Sequence, residues 1–452
     1  MKQNIYEQKS LTKLIFIFGI PSIASLMIEM LTGIVDTAFA GNLPNIGESA
    51  LAAMAIISPI LGIFTALQTL FAMSTGILIA KYLNHEQKQK TRYTTGVVMS
   101  AIMALITSFV CYFSLSAILT ALKADGQIFI LAKQYLQIQL ISNIASSIGY
   151  TLTCCIRAFG YPKTEVKIIT CAVGVNIVFN FIFAFVFNLG IAGLALGTLV
   201  SESVCAISAI LFLIKKKLWI SNERIPIRSF MHSAFELFKI GIAQTAIQVL
   251  GGCTGFVLNA RLLSLGSMMH VAAYSVVQRI YTFILMPIVG LTQGVQNIIS
   301  YFSGNDDNVK IKKVSKITML LCSGYGFIAL LAVLLFGQNL ASLFGGNFEI
   351  TAIAKTVLLI VFMGFPLIGI LYTDMTLLQV TQHELASVLL ILSRQVFFLI
   401  PLVYLIPYLI TITGINVEAV MSLFFCMPVA DLLSVIFASV VKKAISRKEN
   451  CH

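Results

Sequence analysis

Twelve apolar stretches dominate this chain, and most exceed the roughly 20 residues that cross a bilayer as a helix. They run approximately over residues 14–40, 50–80, 93–122, 131–158, 164–188 and 191–214. After a basic linker they continue over 234–263, 270–302, 314–344, 352–380, 386–410 and 416–441. Several exceed 25 residues, a surplus that helix tilt accommodates. Of 452 residues 58% are hydrophobic and only 11% are charged, whereas soluble domains run near 25% charged; mean hydropathy is +0.94. Backbone groups inside hydrocarbon must be paired within the protein, so runs of this length cross as helices. The expected fold class is all-α, a polytopic membrane protein with 12 transmembrane helices.

A formal net charge of +12 would suit a nucleic-acid binder if the positives formed a patch. Instead they fall in alternate loops. The N-terminus carries Lys2, Lys9 and Lys13; loop 2–3 carries Lys81, Lys88, Lys90 and Arg92; loop 4–5 carries Arg157, Lys163 and Lys167. The 215–232 linker, loop 8–9 and the C-terminal tail hold most of the others, so 23 of 30 positives share one side. The positive-inside rule places that side, and both termini, in the cytoplasm of a cell-membrane protein. No nucleic-acid partner is expected. The polar start MKQNIYEQKSLTK gives no sign of a cleavable signal peptide.

The chain repeats itself at long period. FGIPSIASLMIEMLTGIVDTAFAG (18–41) lies on KIGIAQTAIQVLGGCTGFVLNARL (239–262) at an offset of 222, pairing Gly19 with Gly241, Val35 with Val257 and Ala38 with Ala260. RAFGYPK (157–163) falls on QVTQHE (379–384) at the same offset, and NLGIAGLA (188–195) on TGINVEAV (413–420) at 224. The expected organisation is an N-lobe of six spans over 1–214, a cytoplasmic basic linker over 215–232, and a C-lobe of six spans over 233–452. With an even number of spans in each, the lobes are related by a pseudo-two-fold axis along the membrane normal.

Against this background the polar residues at membrane depth stand out. Span one carries Glu29 and Asp36, two turns apart on nearly one face, and a charge at the bilayer centre costs about 2.5–3.5 kcal/mol on insertion scales. They line an internal cavity that handles cations, or one is neutralised by a partner helix and only fixes packing. Counting about 1.5 Å of rise per residue, Asp36, Asn180 of span five and Thr198 of span six share the outer half of the N-lobe. Glu29 and Glu202 share a level nearer the middle, and Asn176 lies one turn from Asn180. Oxygens at one level suit a hard cation such as Na⁺, a buried carboxylate suits a proton, and asparagines also serve as interhelical glue. In the C-lobe, Asp374 and Arg394 at similar depth are expected to form a structural ion pair. Gln244 and Gln248, one turn apart on span seven, are candidates for a substrate face.

Enzymatic motifs are missing from the chain: there is no H-E-x-x-H, G-x-S-x-G or P-loop run, and only five histidines. The nine cysteines lack metal-ligand spacing and read as buried thiols. The expectation is therefore a non-enzyme, without cofactors, and with no metal beyond Na⁺ at Asp36. With no ATPase run, an ion gradient has to supply the energy.

At these residues the chain resembles the MATE (multidrug and toxic compound extrusion) transporters, in the bacterial MepA-like branch, over nearly its whole length. The resemblance is carried by IPSIASLMIEMLTGIVDTAFAGNL with ALAAMAI (50–56), and by RAFGYPKTEVKIITCAVGVNIVFNFIFAFVFNLGIAGLALGTLVSE (157–202). In the second half it is carried by FKIGIAQTAIQVL, AAYSVVQRI and SRQVFFLIPLVYLIP. It implies twelve helices in two six-helix lobes and antiport of lipophilic, cationic small molecules against Na⁺ or H⁺, as a monomer. It further implies a cation site built from Asp36, Asn176 and Thr198, with a helix bend at Pro21. The family carries an acid where this chain has Asn180, and some relatives a glutamate where it has Gly251. Glu29 and Glu202 are expected to supply part of that missing charge. The alternatives are a flippase or exporter of a lipid-linked or other metabolite from the same superfamily, and a membrane receptor or scaffold that transports nothing.

Overall fold

A computed structural model describes residues 5–219, 225–343, 348–381, 383–413 and 418–449. Residues 220–224 of the expected linker and 414–417 of the weakest repeat match lie outside the described residues. Among those described the chain is helical throughout. A short helix, Ile5–Gln8, precedes span 1 (Leu11–Gly41), span 2 (Gly47–Lys81), span 3 (Glu86–Ala121) and span 4 (Gly126–Ala158). Span 5 is Pro162–Phe181 extended by a π-helical turn, Ile182–Val186, and span 6 is Gly190–Lys215.

The second half has span 7 (Ile227–Leu265), span 8 (Met268–Gly304) and span 9 (Asn308–Leu343). Span 10 is broken into Phe348–Phe362 and Phe365–Val380, bent by 49°. Span 11 runs from Glu384–Leu392 through a π-helical stretch, Ser393–Leu399, into Ile400–Thr413; span 12 comprises Ala419–Leu423 and Cys426–Glu449. Ten helices are individually long and apolar enough to cross a membrane, and the bent pair makes an eleventh. The twelfth is span 4, 33 residues long, whose polar inward side chains lower its hydropathy.

Only 22–39% of each apolar window is buried inside the protein. Phe109, Phe113, Leu335 and Phe336 are all exposed, an outward apolar surface that a soluble protein does not tolerate and that lipid covers. Span 1 stays helical through Pro21, although a proline removes the bond to the carbonyl four residues earlier.

The described residues divide into two compact units. The first comprises residues 1–245 with 300–307, the second 246–299 with 308–452. In the first unit span 4 is the central helix, packed on spans 2, 3 and 6, while span 5 packs on spans 1 and 6. In the second unit span 10 packs on spans 9, 11 and 12. The division falls within spans 7 and 8 rather than at the basic linker, because the ends of both helices are fastened to spans 2 and 3. Arg92 Nη2 lies 2.9 Å from Glu236 Oε2, and Tyr82 OH donates to Glu236 at 3.1 Å. Asn84 Nδ2 donates to Asn305 at 3.0 Å, and Ser300 Oγ donates to the Ile77 carbonyl at 2.5 Å. Burial and the Glu236 carboxylate push the Tyr82 phenol above its ordinary range, which keeps it a donor.

Candidate cation-binding site in the first bundle

Span 5 enters from a tight connection. Arg157 stands in the last turn of span 4 and Glu165 in the first turn of span 5, so each charge meets the helix end that favours it. The chain turns through Gly160 at φ +92°, with Pro162 in the first turn of the new helix. This brings Arg157 Nη1 within 3.2 Å of Glu165 Oε1, with both side chains at most 5% exposed. Arg157 also donates to Ser22 of span 1 at 3.2 Å. Loop 4–5 therefore departs from the expected set of solvated positives. Arg157 is a buried structural cation, because a carboxylate eight positions later in sequence folds back onto it.

Two turns further along span 5, a hydrogen-bonded chain links three spans. Asn180 Nδ2 donates to Asp36 Oδ1 at 2.5 Å and to Asn176 Oδ1 at 3.1 Å. Asn176 Nδ2 donates in turn to Thr198 Oγ1 at 3.3 Å, and Thr198 donates to the Leu194 carbonyl at 3.1 Å. Asn176 and Asn180 are buried, while Asp36 and Thr198 are half-buried. The four residues that the sequence placed at one level or one turn away thus converge. Tyr135 of span 4, buried, joins them through Thr198 and faces the Asp36 charge. Its only sequence signal was a tyrosine inside an apolar run, which is too common to single out.

One acceptor in this chain is unspent. Asn180 Oδ1 is buried and has no hydrogen-bond partner, a state that normally costs about 1–3 kcal/mol. It lies where span 6 presents Gly197: a Cβ there would sit 2.0 Å from Asn180 Oδ1 and 2.7 Å from the Asn180 backbone nitrogen. Gly193 stands as close to the π turn, 2.6 Å from the Ala184 nitrogen. The pair forms G-x-x-x-G, the small-residue spacing that lets membrane helices approach closely. This visible signal locates the crossing of spans 5 and 6.

Glu29 and Glu202 do not join the Asp36 chain. Glu29 is exposed and Glu202 half-buried; Glu202 is hydrogen-bonded to Ser146 of span 4. They are close enough to repel each other, and Glu29 also feels Glu165 and Arg157. Asp36 feels Glu202 in turn. Arg157, the buried cation of this region, is committed to Glu165, so none of Glu29, Asp36 and Glu202 has a printed salt bridge of its own. Among the described residues no group of three or more metal-type ligands from His, Cys, Asp and Glu is present.

The expected Asp374–Arg394 pair in the second bundle does not form. Arg394 Nε lies 2.7 Å from Asp431 Oδ1 of span 12. Asp374 is instead bonded to Lys442, 2.7 Å from its Oδ2. Shared depth was a sound criterion for neighbourhood but not for facing. Asp374 points to the end of span 12, and the π stretch of span 11 aims Arg394 at the middle of it. A cavity of about 200 Å³ lies within this bundle. Its span 7 wall is Ile247, Gly251, Thr254, Gly255 and Leu258; half-buried Gln244 and Gln248 belong to a different face of that helix.

Comparison with known proteins agrees with this architecture. The chain is 26% identical to the multidrug export protein MepA of Staphylococcus haemolyticus, over 97% of this chain and 98% of the relative. It is 27% identical to MepA of Staphylococcus aureus, over 91% and 90%. Among solved structures it superposes on the Vibrio cholerae MATE transporter VcmN in its bent form, with a TM-score of 0.88, 20% identity and 98% of both chains covered. A MOP superfamily transporter from Pyrococcus furiosus superposes at 0.86, with 17% identity and 99% and 98% covered. The MatE family model matches residues 21–182 and 245–405, one block in each half. With both halves matched, the polar chain around Asp36 and the twelve-span fold in place, this protein belongs to the MatE family and resembles its MepA branch.

Proposed function

We propose that this protein exports lipophilic organic cations from the cell, driven by inward movement of Na⁺ or H⁺ through the first bundle. The observation that carries the reading is the buried chain Asp36–Asn180–Asn176–Thr198, ending in an unspent oxygen on Asn180. A carboxylate in a poorly solvated interior, with no basic side chain bonded to it, costs less when a proton or metal cation joins it. The unspent Asn180 oxygen supports the same conclusion, since an arriving Na⁺ accepts exactly such a ligand after modest side-chain rotation. Glu29 and Glu202 add negative charge nearby. The curated relatives are named multidrug export proteins, which supports a small-molecule cargo. Both termini are assigned to the cytoplasm by the lysine and arginine asymmetry, and a monomer suffices because the site lies within one bundle.

The test uses everted membrane vesicles loaded with a fluorescent organic cation, with Na⁺ and pH gradients imposed separately. One gradient alone drives accumulation in the wild type, and Asp36→Asn abolishes it while the protein still inserts. Glu29→Gln and Glu202→Gln weaken gradient-driven transport more than they weaken expression. Full transport by Asp36→Asn would remove the reading, and normal transport by both glutamine variants would remove the role of the two glutamates.

A further inference from the structure

The cavity of the second bundle lies apart from the cation site, and its chemistry is of the opposite kind. Arg394 heads it. The guanidinium is held through two of its three nitrogens, Nε to Asp431 Oδ1 at 2.7 Å and Nη2 to Tyr281 OH at 3.3 Å. Its side chain is 15% exposed whereas that of Asp431 is 2%. Arg394 lines the cavity and Asp431 does not. The carboxylate is tucked behind the guanidinium, against the break of span 10 at Gly364. The pair is neutral in sum, but the cavity meets its positive end.

The remaining polar groups are set as donors. Tyr281 accepts from Arg394, so its own proton is left to give. Gln395 Oε1 is taken by Thr254 at 2.8 Å, which leaves its amide hydrogens. Among the cavity's lining residues there is no carboxylate, and Tyr274, Tyr281 and Tyr372 supply flat walls. Two consecutive residues, Arg394 and Gln395, reach the same cavity because the helix there is π-helical, a distortion that recurs at functional sites. A pair serving packing alone would close over its guanidinium; this one leaves it open.

We propose that this cavity is a binding subsite for an aryl carboxylate group, with the carboxylate on Arg394 and Tyr281 and the ring between the tyrosines. The class follows from the geometry: a planar fork of N–H donors matches a carboxylate, and stacking walls match a ring. The volume is below the roughly 300–1,000 Å³ of drug-sized sites, so the cavity holds one substituted ring of a larger molecule. The subsite extends the cargo to molecules that carry an acidic arm, and it does not depend on which ion is coupled, or on coupling at all.

The probes are a rhodamine bearing a free benzoate and its methyl ester, titrated by fluorescence anisotropy against the purified full chain in lipid nanodiscs, without a gradient. A charge-assisted hydrogen bond contributes about 1.5–3 kcal/mol, so the acid binds the wild type about ten- to hundredfold more tightly than the ester. Arg394→Gln with Asp431→Asn removes both buried charges together and brings the two affinities within a few-fold, with ester binding retained. Tyr281→Phe keeps the ion pair and reduces the preference severalfold, so the proposal stays decidable should the double variant fail to fold. Equal binding of acid and ester by the wild type, or a preference that survives either substitution, overturns it. Asp36→Asn leaves this preference in place, which separates failure of the subsite from failure of the coupling reading.

Discussion

Replacing Gly197 with alanine adds a single methyl group to span 6, and its effect follows from where that methyl must go. It would meet Asn180 Oδ1 at 2.0 Å, the Asn180 nitrogen at 2.7 Å and the Asn180 Cα at 3.0 Å. The side-chain oxygen can rotate away, but the backbone atoms cannot move unless span 5 moves with them. Overpacking of this kind costs about 1–3 kcal/mol, and contact with backbone places it at the upper end. Alanine returns about 1 kcal/mol through helix propensity, leaving a net loss of about 2 kcal/mol. At about 2–4 °C per kcal/mol, the Tm of the detergent-solubilised protein falls by about 4–8 °C, read with a thiol-reactive dye on the buried cysteines. Span 5 also carries Asn180 off Asp36, so gradient-driven efflux falls more than expression does. Gly33 and Gly62 are the controls, because a Cβ at either meets nothing within 4 Å; their alanine variants are neutral or slightly stabilising. A Gly197→Ala protein as stable and as active as Gly62→Ala would refute the close crossing and the placement of Asn180.

The Arg157–Glu165 pair gives a second outcome. Breaking a buried pair costs about 3–5 kcal/mol, so Arg157→Gln or Glu165→Gln alone lowers the yield of folded protein sharply. The double variant recovers much of that loss by size-exclusion profile, as no charge is left alone. At Glu236, substitution by glutamine weakens the Arg92 and Tyr82 bonds and costs about 1–2 kcal/mol. A single cysteine placed on the end of span 7 near Glu236 then labels faster with a membrane-impermeant maleimide; an unchanged labelling rate would show that the pair fastens nothing.

Much of this molecule was legible from sequence because the bilayer is a severe filter. It demands long apolar helices and penalises every charge within them. Spans, sidedness and the two-fold repeat therefore appear as patterns of composition, and the convergence of Asp36, Asn176, Asn180 and Thr198 followed from counting residues along helices. Counting fails where azimuth matters. A residue's depth is fixed by its position in its own helix, but the partner it faces depends on how neighbouring helices rotate and pack. Asp374 and Arg394 agree in depth and face different parts of span 12, and the π stretch at Ser393–Leu399 shifts the phase in a way no periodicity announces. The burial of Arg157, the position of Tyr135 and the cavity under Arg394 share that origin. Sequence alone determined that this chain is a twelve-span membrane protein with carboxylates held in its first bundle. Only the packing of one helix on another decided which of them meet an amide, which meet a permanent cation, and which guanidinium is left with an open face.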